Sequence, residues 1–533
     1  LLDPRNITVS FAGTAGLDDV AAFATSPSTD RTIAASTINA ATSNITLQAN
    51  TDITVNAPIS LSNAGIGLTM NAGRSIVLNQ NVTTNGGGFT ATINDAGASA
   101  ADRIAGQAAF TMQAGRSIAT GGGAVQISSG SFGGGGVTYV GDMTIRNVST
   151  SGGAVTISNQ VGDIRGNPDI ATGGGAISLT SFNQQLGDLT TTGTVSLTGT
   201  GAGTVTGNGA ITANALSLAG AATGFDLGSE DNPVQSVTGT VGDIDFLDFS
   251  GFDIAGLTAT GAGGATFTSD GTVTQSGPIS VMADTLTLNG GAAAFLLTDT
   301  GNRVLRLAGT AGTASFYGGG GYDVAGLTTF GDLTLSGDGN ITQSGAIAAQ
   351  GLLLRGSAAY DFSTDINNSV TTIAADTSGS VTFTNAGALQ VGMVGGVAGI
   401  ATGSAEIRTL ADELVLARGI SASGGGTAIV VAPATDLVNT FGATALSAPG
   451  GRWLVYTRNR AGATFGGLDS GNTAVWAATY ATLPPAGVAA GGNRYLFNET
   501  QTLSFAAADA SKVYGSDGSA ALQSAYTVSG LAT

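Results

Sequence analysis

The groups in this chain that could do chemistry are carboxylates. Its 533 residues include no histidine and no cysteine. That removes His-based acid–base catalysis, Cys nucleophiles and His- or Cys-ligated metals. Three tight acidic groupings remain: Asp18-Asp19, Glu230-Asp231, and Asp243-Ile244-Asp245 with Asp248. Two carboxylates at a set separation across a cleft hydrolyse glycosides, and carboxylates with carbonyls bind Ca²⁺. The same residues serve as solvated corners of a repeating chain, which is the reading adopted here. No catalytic, cofactor-binding or metal-ligating residue is assigned, the chain is read as a non-enzyme, and Ca²⁺ enters only as a weakly held ion.

Two glycine runs, Gly133-Gly134-Gly135-Gly136 and Gly318-Gly319-Gly320-Gly321, look like phosphate loops. Neither ends in Lys-Ser/Thr or leads into a helix, so both read as corners or bulges. Arg74 and Arg116 recur in Ala72-Gly73-Arg74-Ser75-Ile76 and Ala114-Gly115-Arg116-Ser117-Ile118, 42 residues apart. They read as one coil position on a solvated face, with a ligand or lateral-contact ladder as the alternative. Asn6, Asn44, Asn81, Asn147, Asn340, Asn367 and Asn498 open Asn-x-Ser/Thr triplets. That is the glycosylation acceptor pattern, and a Thr- and Asn-rich chain also produces it by chance.

The elements that must position these residues come from a repeat. Ile45, Leu47, Ile53, Val55 and Ile59 each have an apolar partner 23 positions on: Leu68, Met70, Ile76, Leu78 and Val82. A fixed period of this size, built on alternating apolar residues, marks a solenoid. Each unit is too short to bury its own apolar face and must stack on the next. Short β-branched triplets such as Val155-Thr156-Ile157 and Ile177-Ser178-Leu179 recur, with Gly121-Gly122-Gly123 and Gly173-Gly174-Gly175 as corner signals. Only Thr409 to Ala417 has any helical character. The fold class is all-β, a right-handed parallel β-helix of about 20 coils of 21–23 residues, roughly 95 Å long at about 4.8 Å per coil.

Composition agrees. The chain is 42% hydrophobic and only 10% charged, with 86 glycines, so it can fill a core. The net charge is -18 and Lys512 is the only lysine. Nucleic acid is therefore not an expected partner. No run of about 18 apolar residues predicts a membrane helix. Residue 1 is Leu and no signal peptide is visible, so the chain reads as an excerpt whose export signal lies upstream.

Three segments are expected. Residues 1–450 form the coiled rod. From about residue 203 it carries a 68-residue repeat, read as three coils of about 23 residues: Gly203-Thr204-Val205-Thr206, Gly271-Thr272-Val273-Thr274-Gln275-Ser276-Gly277 and Gly339-Asn340-Ile341-Thr342-Gln343-Ser344-Gly345. Phe252-Asp253-Ile254 returns as Tyr322-Asp323-Val324. Residues 451–500 hold Trp453, Phe465, Trp476, Tyr480, Tyr495 and Phe497. They read as a β-rich cap over the last coil's open edge, with an exposed aromatic ligand platform as the alternative. Residues 501–533 look like the opening of a further β module.

The opening Leu1-Leu2-Asp3-Pro4-Arg5-Asn6-Ile7-Thr8-Val9 resembles a stretch of the filamentous-haemagglutinin-like exoproteins of two-partner secretion. Asn44-Ile45-Thr46-Leu47-Gln48-Ala49 and Ala72-Gly73-Arg74-Ser75-Ile76 resemble their coils, and Gly451-Arg452-Trp453-Leu454-Val455-Tyr456 is similar to the rod's end in many members. Lys512-Val513-Tyr514-Gly515 with Tyr526-Thr527-Val528-Ser529-Gly530-Leu531 resembles the MBG repeat that often follows. The resemblance implies export through an outer-membrane partner transporter to the outer cell surface of a bacterium. It implies work there as an adhesin or fibre, with a receptor or glycan on host or neighbouring cells and homotypic filament contacts. A carbohydrate-active β-helix enzyme and a haem- or haemopexin-acquisition exoprotein are the rivals. Without histidine, haem ligation would fall to Tyr or Met.

Overall fold

The computed structural model describes residues 4–23, 29–131, 140–509, 511, 513–517, 519 and 526–529. The chain divides into two compact units, residues 1–322 and 323–533. Each is a stack of parallel β-coils, about 21 in all, and helix is almost absent. Among the described residues helix is limited to one turn of α-helix at Ala35–Asn39, the 3-10 turns Leu17–Asp19 and Pro485–Gly487, and the helical residue Ser519. Gly133 to Gly136, Lys512, Gly530 and Leu531 lie outside the described residues.

In the first unit each coil has three sides. Face one runs through Ile45–Ala49, Leu68–Ala72, Phe89–Ile93, Val125–Ser129 and Val155–Ser158. Face two runs through Ile53–Val55, Ile76–Leu78 and Phe110–Met112, and face three through Ile59–Ser60, Val82–Thr83 and Ser117–Ala119. Alternation decides which side chains go in. Ile45, Leu47 and Ala49 are buried while Thr46 and Gln48 sit on the outside. Fully burying one Ile or Leu contributes about 1.5–3 kcal/mol, and the next coil repeats the gain.

All five apolar pairs read at an offset of 23 are register partners: Ile45 with Leu68, Leu47 with Met70, Ile53 with Ile76, Val55 with Leu78 and Ile59 with Val82. Coil length varies more than 21–23. Ile177 meets Val195, 18 residues on, and Phe89 meets Val125, 36 residues on. The long coil carries an outward insertion, residues 94–107. It is pinned to the corner two coils below by Ser99 N–H on Asn50 Oδ1 (2.8 Å) and Ile104 N–H on Thr51 Oγ1 (3.0 Å).

Three sequence expectations are corrected. The two Ala-Gly-Arg-Ser-Ile segments do not share a coil position: Ile76 lies on face two against Ile53 and Phe110, whereas Ile118 lies on face three against Val82 and Val148. The insertion displaces the second copy. The first two 68-residue segments are not three coils apart. Three coils carry Thr206 through Asp226 and Asp245 to Thr266, and Thr274 lies eight residues further, on the column of Ser236 and Asp253. What recurs is a corner network. Asn302 Oδ1 accepts Ile279 N–H and Asn368 Oδ1 accepts Ile347 N–H, each at 2.8 Å, and Gln275 and Gln343 bond to these same asparagines. Finally, Thr409 to Ala417 is not helical. Leu414–Leu416 is a strand between Leu389–Val391 and Leu437–Asn439, because apolar partners above and below outweigh local helix propensity.

In the second unit, one column runs Ile341, Tyr360, Val381, Ala405, Ile429 and Trp453. Gly451–Thr457 is thus a coil strand with Trp453 in the core, 2% exposed. Arg494–Phe497 stacks on it in parallel, Leu454 against Arg494. The 36 residues between these strands contain no strand of their own and pair with the stack by single parallel bridges, Thr464 with Val438 and Val475 with Leu496; they supply much of the candidate site below. Ser504–Ala507 pairs antiparallel with Tyr526–Ser529.

Candidate ligand-contact site

Many acidic residues cap corners. Asp142 Oδ1 accepts Asp163 N–H (3.2 Å), Asp163 Oδ1 accepts Asn183 N–H (3.1 Å), and Asn183 Oδ1 accepts Thr204 N–H (2.9 Å). Each coil's side-chain oxygen thus holds a backbone donor of the next. Asn44 and Asn81 do the same for Gly67 and Ser117, which gives two of the Asn-x-Ser/Thr residues a structural task. Corner capping needs short acceptor side chains, and Asp supplies them at the cost of net charge.

The three acidic groupings are accordingly dispersed. Asp19 accepts Gly16 N–H at 2.8 Å in a 3-10 turn, and Asp231 accepts Phe249 N–H at 2.9 Å. Asp248 is fully buried, accepting Val234 N–H at 3.0 Å, with Ser250 N–H and Oγ–H each at 2.7 Å. Asp243 and Asp245 face outward instead. They line a recess of about 570 Å³ with Asp226, the register partner of Asp245. Among the described residues no three metal-binding side chains are grouped to hold an ion. Arg74 grips Asp52 through Nε (2.9 Å) and Nη2 (2.5 Å) and reaches Ala105 O, so it fastens the insertion.

Burial, then the facing Asp226, pushes the Asp245 carboxyl above its ordinary range. A carboxyl whose pKa is higher folded than unfolded penalises the folded state once ionised. The penalty is full above the folded pKa and fades as pH falls towards the unfolded value. Asp245→Asn should therefore raise thermal stability near neutral pH, with the gain disappearing below about pH 3. Melting curves of both proteins across that range check it, and a pH-independent difference would refute it.

The most elaborate recess lies in residues 458–501. It encloses about 960 Å³ and is walled by Phe465, Trp476 and Phe497, with Arg460, Asp469 and Asn472 among its polar groups. The strand Arg494–Phe497 places Tyr495 and Phe497 on the stack. The excursion brings Phe465 to 4.8 Å from Tyr495, edge-on, and lays Trp476 on Phe497 at 4.8 Å and 28°. Trp453 backs Tyr495 at 5.2 Å, and the Tyr495 hydroxyl donates to Leu468 O at 2.8 Å. Burial, with Asp469 nearby, pushes the Tyr495 phenol well above its usual range, so it stays protonated. Phe465 and Trp476 remain partly open. Such an arrangement offers flat apolar faces beside hydrogen-bonding groups, the make-up of a small-ligand site.

A strap beside it is fixed to the outer face of the coils. Tyr480 donates to Glu406 Oε1 at 2.5 Å, and the Arg408 guanidinium sits 3.8 Å from the Tyr480 ring centroid. Beneath it Ala478 and Val488 pack with Val430, Leu454, Tyr456 and Leu496. Arg452 closes the strap through Val488 O (2.9 Å) and Ala490 O (2.5 Å). The aromatic cluster was visible in the sequence as a change in composition. Which rings are walls and which are foundation was not, because alternation breaks down outside the coils. No protein-family profile, no curated protein and no solved structure matches this chain.

Proposed function

We propose that this chain is part of an extracellular, structural and adhesive protein of a bacterial surface, of the filamentous-haemagglutinin-like kind that its sequence resembles. The observation that carries the reading is the outer surface of face one. Thr69, Thr90, Gln126, Thr156, Ser178 and Ser196 follow one another in register, uncharged, one per coil. Such columns, spaced at about 4.8 Å, present the same weak donor and acceptor many times over. Repetition converts weak contacts into firm attachment, which suits adhesion and side-by-side assembly better than turnover. Export through an outer-membrane partner belongs to the same proposal.

Purified chain coupled to beads should hold to cultured cells or to solid surfaces under flow better than a globular β protein of equal charge. Retention no better than that control would overturn the reading. The carbohydrate-active alternative has one feature in its favour: Asp226 and Asp245 face each other on adjacent strands beside an open recess. Release of reducing sugar from neutral or acidic polysaccharides, abolished in Asp245→Asn, would move the assignment there.

A further inference from the structure

We propose that the recess walled by Phe465, Trp476 and Phe497 is a binding subsite for a neutral oligosaccharide. The proposal rests on the adhesive reading and gives it a ligand class. Its first support is shape. About 960 Å³ is room for a ligand of one to a few sugar rings, at the upper end of the roughly 300–1,000 Å³ typical of small-molecule sites. The walls are flat rings, and a pyranose presents a flat, C–H-lined face that stacks on such rings while its hydroxyls point to the edges.

Those edges meet polar groups. Asp469, Asn472 and Arg460 line the same recess, supplying acceptors and donors for hydroxyls. One carboxylate and one guanidinium balance, so the site carries no net charge to select an ionic ligand. The chain's overall charge of -18 works against an acidic polysaccharide.

The walls are also held in advance. Val475 N–H donates to Tyr495 O (2.9 Å) and Ala477 N–H to Glu499 O (3.0 Å), which clamps the backbone on both sides of Trp476. Ala477 takes φ +54°, the left-handed region that non-glycine residues seldom occupy. The chain accepts that strain where it turns the indole onto Phe497, and strain of this kind concentrates at binding sites. Rigid aromatic walls lose little conformational freedom on binding.

The protein reports on its own recess. It has two tryptophans. Trp453 is 2% exposed, so quenching by acrylamide reads Trp476. The full chain would be titrated with lactose, cellobiose, maltose and N,N′-diacetylchitobiose, and with sialyllactose as the charged counterpart. At least one neutral sugar should protect Trp476 saturably, and Trp476→Ala should weaken its binding about tenfold or more, as for loss of a central aromatic contact. Asp469→Asn keeps the Oδ1 that accepts Gly471 N–H and should bind severalfold more weakly with folding intact. The inference is overturned if no neutral sugar protects Trp476, if only sialyllactose does, if both variants bind like wild type, or if Trp476 is already shielded from acrylamide. Bead retention of the same proteins separates the two claims. Retention without sugar binding leaves the adhesive reading standing and ends this one, and sugar binding without retention does the reverse.

Discussion

Gly175→Ala should cost about 3 kcal/mol or more, whereas Gly174→Ala, one residue earlier, should change stability by less than about 0.5 kcal/mol. A methyl group on Gly175 would lie 2.3 Å from Gly153 O and 2.4 Å from Gly153 C, both backbone atoms of the coil below. Nothing there can rotate aside. At Gly174 the nearest atom is Thr192 Oγ1, at 3.8 Å, and φ is not positive. Gly175 is one of a column. A methyl on Gly87 would meet Ile66 O at 1.9 Å, on Gly123 Gly87 O at 2.1 Å, and on Gly153 Gly123 O at 2.3 Å. Each of these glycine carbonyls accepts the hydroxyl of a buried threonine three residues earlier: Thr84, Thr120, Thr150 and Thr172. The Thr-x-x-Gly corner lets successive coils touch backbone to backbone. In a stack stabilised by nearest-neighbour contacts, one blocked corner loses the interface on both sides. Urea unfolding followed by circular dichroism would measure both variants, and equal midpoints would refute the account.

The second large effect is at Phe267. Phe267→Ala should destabilise the first unit by about 3–5 kcal/mol, the cost of deleting a buried phenyl ring and leaving a cavity. The residue is fully buried. Its ring lies 5.6 Å from Phe252 and 6.5 Å from Phe246, which are themselves 5.0 Å apart and edge-to-face. Contacts of that geometry are worth about 0.5–1.5 kcal/mol beyond their area. Phe249, in the same stretch but 49% exposed, is the comparison: its alanine variant should lose less than about 1 kcal/mol. Denaturant midpoints of the two variants that coincide would show that the ring cluster does not hold this part of the stack.

Other repeats show where a sequence pattern misleads. Ala-Gly-Arg-Ser-Ile occurs twice because the same corner-then-strand grammar suits two different faces. Identity of five residues records local chemistry, and only a count of every residue in between fixes the face. The 14-residue insertion 94–107 upsets that count. The 68-residue repeat likewise preserves a corner network of Gln, Asn, Thr and Asp but not a whole number of coils, since its members need only a neighbouring coil, whichever side of the coil they occupy.

For the candidate site, clustering of aromatics after residue 450 was legible and their roles were not. Trp453 and Trp476 look alike in sequence, yet one is a core residue opposite Ile429 and the other walls a recess against Phe497. The acidic groupings looked like candidate chemistry, yet the structure splits them: Asp19, Asp231 and Asp248 accept backbone N–H groups while Asp243 and Asp245 face outward, because each role depends on the neighbours that folding supplies.

The sequence by itself determined that this chain stacks: alternating Ile, Leu and Val at coil-length spacing leave an apolar edge that only another coil can cover. The tertiary structure decided the register wherever coil length departs from the mean, the glycine column at the corners, and the recess beside Trp476. Each of these depends on atoms brought together across coils, and a one-dimensional pattern records the demand for a neighbour without recording which neighbour meets it.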